Sequence, residues 1–123
     1  MALYREEETF KIIGICMEVH RNLGPGLLEI IYKDALEIEF RENNILFERE
    51  KEYEITYKGH ALPRKYIADF IVSEDIVLEV KSVKDFSNER IAKTLNYMKL
   101  ASSEIGLLVN FQNKSLQYKR LVF

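Results

Sequence analysis

Tyr66-Ile67-Ala68-Asp69-Phe70-Ile71-Val72-Ser73-Glu74-Asp75-Ile76-Val77-Leu78-Glu79-Val80-Lys81-Ser82 holds two apolar runs separated by three polar residues, and each run contains an ionisable intruder. The β-branched and aromatic content of the runs reads as two strands, and Ser73-Glu74-Asp75 as the turn between them. With a three-residue loop, Val72 pairs with Ile76, Asp69 lies opposite Glu79, and Ile67 lies opposite Lys81. That register puts Phe70, Val72, Leu78 and Val80 on one face, a candidate core. Asp69, Glu79 and Lys81 fall on the other, because side chains two residues apart share a side of a strand.

A carboxylate in an apolar strand is costly to bury without a partner. Two facing carboxylates also repel each other, so Asp69 and Glu79 call for a cation or a proton between them. Oxygen-only donors suit a hard ion such as Mg²⁺ or Mn²⁺, held by one or two carboxylates plus substrate phosphate. Lys81 beside that pair supplies positive charge for a phosphate being cleaved. The equipment is that of metal-dependent phosphodiester hydrolysis. An acid two residues before a lysine turns up roughly once by chance in a chain this long, so the spacing alone carries little. Its weight comes from an apolar strand whose neighbour holds a second acid. A plain salt bridge at a strand end is the rival reading.

On either side of this hairpin the chain reads as helices and strands. Ile12, Ile13, Cys16, Val19 and Leu23 recur at helical spacing from Thr9, which is placed as a cap. Leu23-Gly24-Pro25-Gly26 breaks that helix. A second runs from about Leu27 to Glu42, with Leu28, Ile31, Tyr32, Ala35, Leu36 and Phe40 as its apolar stripe. Ile45 to Tyr57 reads as a strand reversing at Lys58-Gly59, Ser87 to Ser102 as a helix capped by Ser87 or Asn88, and Ile105 to Phe111 and Leu116 to Val122 as two strands. The order helix, helix, three strands, helix, two strands predicts an α/β (α+β) fold, one mixed sheet flanked by helices, in a single domain over residues 1–123.

The chain has 123 residues, is 47% hydrophobic and carries a net charge of −2. That balance gives no overall pull on nucleic acid. Its distribution is uneven: residues 1–55 hold 13 acids and 7 bases, residues 56–123 hold 7 acids and 11 bases. Lys84, Arg90 and Lys93 form a basic run after the Lys81 strand, a candidate nucleic-acid track that a solvated helix face would explain equally. No apolar run is long enough to span a membrane, and Met1 to Glu8 lacks the order of a signal peptide, so a cytoplasmic protein is expected. The lone cysteine, Cys16, is read as a buried thiol. His20 and His60 have no partner at metal-ligand spacing, and His60 is most simply a turn residue.

The stretch Val19-His20-Arg21-Asn22-Leu23-Gly24-Pro25-Gly26-Leu27-Leu28-Glu29-Ile30-Ile31-Tyr32 resembles the signature of the GxxExxY proteins, here Gly26, Glu29 and Tyr32. The resemblance continues through Asp69, Glu79-Val80-Lys81, Leu95-Asn96-Tyr97 and Gly106-Leu107-Leu108-Val109-Asn110-Phe111, nearly the whole chain. That family belongs to the PD-(D/E)xK nuclease superfamily, which implies a restriction-endonuclease-like core. It implies Asp69, Glu79 and Glu29 as metal ligands, Lys81 as the catalytic lysine, and Mg²⁺ or Mn²⁺ as the ion. His20, Tyr32, Lys93 and Tyr97 become candidates for lining the site. Taken alone, Glu29 is an acid favoured by the positive end of its helix. Lys93 departs from the glutamine that exonuclease-like members carry four residues before the tyrosine. The expected partner is nucleic acid, DNA ahead of RNA, and a homodimer would enlarge so small a groove. The alternative is an inactive nucleic-acid-binding or assembly module on the same fold.

Overall fold

The computed structural model describes residues 5–123. Residues 1–4, part of the stretch read above for a signal peptide, lie outside them. Among the described residues the order is α1 (Glu6–Leu23), α2 (Glu29–Glu42), β1 (Phe47–Tyr57), β2 (His60–Val72), β3 (Ile76–Lys81), α3 (Asn88–Leu100), β4 (Ile105–Asn110) and β5 (Gln117–Val122). They form one mixed sheet in the order β1-β2-β3-β4-β5, antiparallel except for the β3–β4 pair, which α3 connects in parallel. This is the expected α+β arrangement.

Helices α1 and α2 cover one face of the sheet. Ile12, Cys16 and Val19 of α1 and Tyr32, Leu36 and Phe40 of α2 pack with Phe70, Val72, Ile76, Leu78, Val80, Leu107 and Val109. Each fully buried side chain of this kind contributes roughly 1.5–3 kcal/mol. Helix α3 covers the other face, where Met98 packs with Tyr66, Ala68, Ile71, Val77 and Leu121. The close fit is visible at Gly106, where an added Cβ would meet Met98 Sδ at 2.6 Å.

Helix boundaries depart from the sequence reading at the start of α1. Thr9 does not cap it: the helix begins three residues earlier, and Thr9 is buried with its Oγ1 donating to the Glu6 carbonyl. The acidic run Glu6 to Glu8, favourable at a helix start, is part of the helix. Ser87 does cap α3, its hydroxyl accepting the Arg90 N–H at 3.1 Å.

The turn region of the central hairpin has the register read from the sequence, Val72 with Ile76 and Phe70 with Leu78. Beyond Phe70 the β2–β3 ladder stops. Ile67 therefore has no backbone pairing with Lys81, contrary to expectation. At the same level the face assignment of β1 and β2 changes. Phe70 and Val72 face α1 and α2, whereas Tyr66 and Ala68, of the same parity, face α3. On β1 Phe47 faces α1 and α2, while Tyr53 and Ile55 face α3. The exchange falls between the pairs Arg49–Phe70 and Lys51–Ala68, at Glu50 and Asp69. Glu50 has φ 54°, and this left-handed residue inside a strand is what breaks the two-residue alternation.

Candidate active site

Opening the ladder gives Asp69 and Glu79 their places. The Asp69 N–H donates to Glu79 Oε2 at 3.2 Å, and the Val80 N–H donates to Asp69 Oδ2 at 2.8 Å. Each carboxylate thus takes over a backbone partner that the neighbouring strand no longer supplies, as buried N–H groups require. The other two oxygens are also bonded. Lys33 Nζ donates to Asp69 Oδ1 at 3.1 Å, and the Tyr66 hydroxyl donates to Glu79 Oε1 at 2.7 Å.

Glu79 is only 5% exposed. Burial, and next the charge of Asp69, push its carboxyl up to about 8, against the hydrogen bond from Tyr66, which acts the other way. Burial, then the charge of Glu79, likewise holds the Tyr66 phenol far above its usual range, so that it is a donor at any working pH.

Asp69, Glu79 and Lys81 line one open pocket of about 400 Å³ with Ile55, Arg64, Lys65, Tyr66, Ile67 and Tyr97. Tyr97 reaches it from α3, its ring stacked on Tyr66 at 4.1 Å, and Tyr53 continues the stack at 5.8 Å from Tyr66. Lys81 ends β3 beside Asn110. The buried Asn110 fixes the chain that leaves β3: its Oδ1 accepts from Val83 N and Gln112 N, and its Nδ2 donates to the Val83 carbonyl and Gln117 Oε1.

The remaining candidates lie elsewhere. Glu29 starts α2 and accepts the Ser82 N–H at 2.9 Å, tying the helix to the end of β3; it lines a neighbouring hollow with Gly26, Leu27 and Gln112, not the Asp69 pocket. Tyr32 is fully buried: its hydroxyl donates to the Gly24 carbonyl at 2.7 Å and accepts from Leu27 N at 2.9 Å. Its ring stacks on Phe111 at 4.2 Å. Tyr32 thus braces the turn in which Gly24 and Gly26 both sit at φ 79°. His20 is buried beside Phe111, with Nε2 bonded to the Asn113 carbonyl at 2.8 Å. Neither His20 nor Tyr32 lines the pocket. Lys84, Arg90 and Lys93 are exposed and do not line it either.

Lys33, Tyr66 and Glu50 escaped the sequence reading. Lys33 is 9% exposed and also approaches Glu50 Oε2 at 3.8 Å, so it bridges the two positions where β1 and β2 exchange faces. One signal pointed to it: Asp69 needed a partner, and Lys33 lies one turn beyond Glu29 on the same helix face. Tyr66 had no such signal, since strict alternation puts it on the side opposite Asp69.

Among the described residues no three His, Cys, Asp or Glu side chains gather as a metal cage, and no helix is long and apolar enough to cross a membrane. The donor set nevertheless fits a hard divalent ion. Mg²⁺ is commonly held by one or two carboxylates and completes its shell with water and substrate oxygen. With Glu79 ionised, each Asp69 and Glu79 oxygen makes one hydrogen bond and keeps a second acceptor site, so a cation there would displace the proton that burial favours on Glu79.

Comparison with curated proteins found no match. The crystal structure of SSO0001 is similar, with a TM-score of 0.57 and 27% identity, covering 75% of this chain and 48% of that one. The chain thus spans about half the length of that protein. A profile of the PD-(D/E)XK nuclease superfamily matches residues 6–121, a span that holds the Asp69 and Glu79-Val80-Lys81 strands with the helices around them, and the chain belongs to that superfamily.

Proposed function

We propose that this protein is a metal-dependent nuclease of the GxxExxY type that hydrolyses phosphodiester bonds in nucleic acid, DNA in preference to RNA. The observation that carries the reading is the convergence of Asp69, Glu79 and Lys81 in one pocket, at the level where the β2–β3 ladder opens. Asp69 and Glu79 would hold the ion, Mg²⁺ or Mn²⁺. Bound there, a divalent ion supplies the Lewis acidity and positive charge that phosphoryl transfer needs. Lys81 stabilises negative charge growing on the phosphate. Tyr66 and Lys33 hold the two carboxylates in position, and Tyr97 walls the pocket. Glu29 acts as a positioning residue, through Ser82, on the strand end that carries Lys81.

Calorimetric titration of Mg²⁺ and Mn²⁺ into the wild type and Glu79→Ala, followed by a DNA and RNA cleavage screen, tests this. The expected result is cation binding lost in Glu79→Ala, and cleavage abolished by Glu79→Ala and by Lys81→Ala with the fold intact. Cleavage that persists in both variants refutes the assignment. The rival reading, a binding or assembly module without turnover, draws on Lys33, which already neutralises Asp69 without any ion. It predicts salt-sensitive binding and no product in any metal.

A further inference from the structure

Residues 55–68 hold Lys58, Arg64 and Lys65 and not one Asp or Glu, in a chain with 20 acids against 18 bases. In the fold this tract is the tip and the β2 side of the outer β1–β2 ribbon; on β1, Glu54 stands opposite Lys65 and Glu52 opposite Ile67. Residues 57–65 are exposed without exception, so this end of the ribbon runs clear of both helical layers, while Tyr66 and Ala68 pack against α3. Its inner end is the wall of the pocket that holds Asp69, Glu79 and Lys81, to which it contributes Ile55, Arg64, Lys65, Tyr66 and Ile67.

A bulge aims this wall. The pairing passes from Glu54–Lys65 to Thr56–Ala61, so Ile55 faces the three residues Leu62, Pro63 and Arg64. Pro63 lacks an N–H and is tolerated where the ladder is interrupted. Extra residues in one strand bend it and re-aim side chains, commonly beside active sites. Arg64 sits in this bulge at the pocket rim and has no ion-pair partner among the described residues. The neighbouring Lys65 meets only the exposed Glu52 at 3.4 Å, a surface pair that a phosphate can replace. Tyr57 at the tip and Ile67 near the pocket are 60% and 49% exposed, apolar area placed along the same basic edge.

We propose that this ribbon is the nucleic-acid-binding arm of the protein: Arg64 and Lys65 grip backbone phosphates at the pocket mouth, Lys58 grips one at the tip, and the bound strand is led to the carboxylates. The proposal rests on the nuclease reading for what the site does with the strand, while binding itself does not depend on cleavage. The occupant follows from charge: the tip and β2 side of the ribbon carry Lys58, Arg64 and Lys65 and no carboxylate, the nearest being the exposed Glu52 and Glu54 of β1, which suits a polyanion, and a two-stranded ribbon is narrow enough to follow a nucleic-acid groove. The α3-side residues Lys84, Arg90 and Lys93 do not reach the pocket lining.

The test is fluorescence anisotropy in EDTA, where no cleavage occurs, with labelled single-stranded DNA, duplex DNA and RNA over a range of salt. Arg64→Gln/Lys65→Gln is expected to weaken binding at least about tenfold at low salt, and to flatten the logarithmic salt dependence by roughly 0.7 to 0.9 per lost phosphate contact. The three probes show which nucleic acid the arm prefers. Wild-type affinity and slope in the double variant overturn the proposal, as does a larger loss in Lys84→Gln/Arg90→Gln/Lys93→Gln, or no binding by the wild type. If binding behaves as expected while the wild type cuts nothing in any metal, the arm stands and the nuclease reading falls.

Discussion

Lys33→Met removes the cation that α2 lends to Asp69 while keeping most of the side chain's length and apolar stem. The pair is close, 3.1 Å, and the two side chains are 11% and 20% exposed. At that separation an effective dielectric of about 20 gives roughly 5 kcal/mol of attraction, part of which is offset by taking both charges out of water. Removing one partner of a buried pair typically costs about 3–5 kcal/mol, because the other charge is stranded. A fifth of the Asp69 side chain still meets solvent, which puts the expectation at the low end, about 3 kcal/mol, or a melting temperature lower by roughly 10 °C. Differential scanning calorimetry in EDTA measures it. The same substitution in an Asp69→Asn background should cost well under half as much, since no charge is left stranded, and excess Mg²⁺ should raise the melting temperature of Lys33→Met more than that of the wild type. If Lys33→Met melts within about 2 °C of the wild type, or costs as much in the Asp69→Asn background as beside the native carboxylate, the account of Lys33 as a buried counter-ion is refuted.

Three further outcomes are expected. The folded carboxyl of Glu79 sits near 8 against an ordinary 4.5, so the folded state holds the proton more tightly; the stability it contributes is complete below pH 4.5 and is lost as pH rises through about 8. Denaturant titrations in EDTA should show a fall of a few kcal/mol across that window, largely absent in Glu79→Gln; a pH-independent wild type refutes it. Tyr32→Phe should cost about 1–2 kcal/mol in chemical denaturation by freeing the Gly24 carbonyl and the Leu27 N–H, with cation affinity unchanged in calorimetry; a lost cation site would put Tyr32 in the site after all. Cys16, fully buried and pushed up to about 12, should resist thiol reagents until the protein unfolds, and stoichiometric labelling of the native protein would contradict that.

Legibility of the fold and site in the sequence divides along physical lines. Near the turn, Phe70, Val72, Leu78 and Val80 are apolar at every second position, and a one-residue slip would expose all of them, so alternation together with the three-residue loop determines the register. The acid pair was legible because a carboxylate in such a strand needs a reason. The exchange of faces at Glu50 and Asp69 was not, since nothing in the composition marks a glutamate that will adopt a left-handed conformation. That hidden step also concealed Tyr66, which only the exchange brings to the side of Glu79. Nothing in the sequence marks Lys33 as buried, because lysines on amphipathic helices usually face water. The basic run at Lys84 to Lys93 stands out only by its spacing in the chain, while the fold gives the pocket mouth to Arg64 and Lys65.

The exchange of faces is what reconciles a stable sheet with a polar centre. Had β1 and β2 kept their alternation, Asp69 would sit either in the α1–α2 core or among the apolar side chains under α3, and backbone pairing with β3 would run on past it. Instead the ladder gives way where the acids lie, and the N–H groups of Asp69 and Val80 are bonded by the carboxylates of Glu79 and Asp69. The cost of interrupting the sheet is thereby offset by the groups that would bind the ion, and those groups are locked to the main chain before any ion arrives. Lys33 and Tyr66 complete the locking from α2 and β2. A site built this way is pre-organised by the fold: a cation bound there would have to displace the Lys33 ammonium from Asp69 and a proton from Glu79, but the carboxylates themselves would need little reordering.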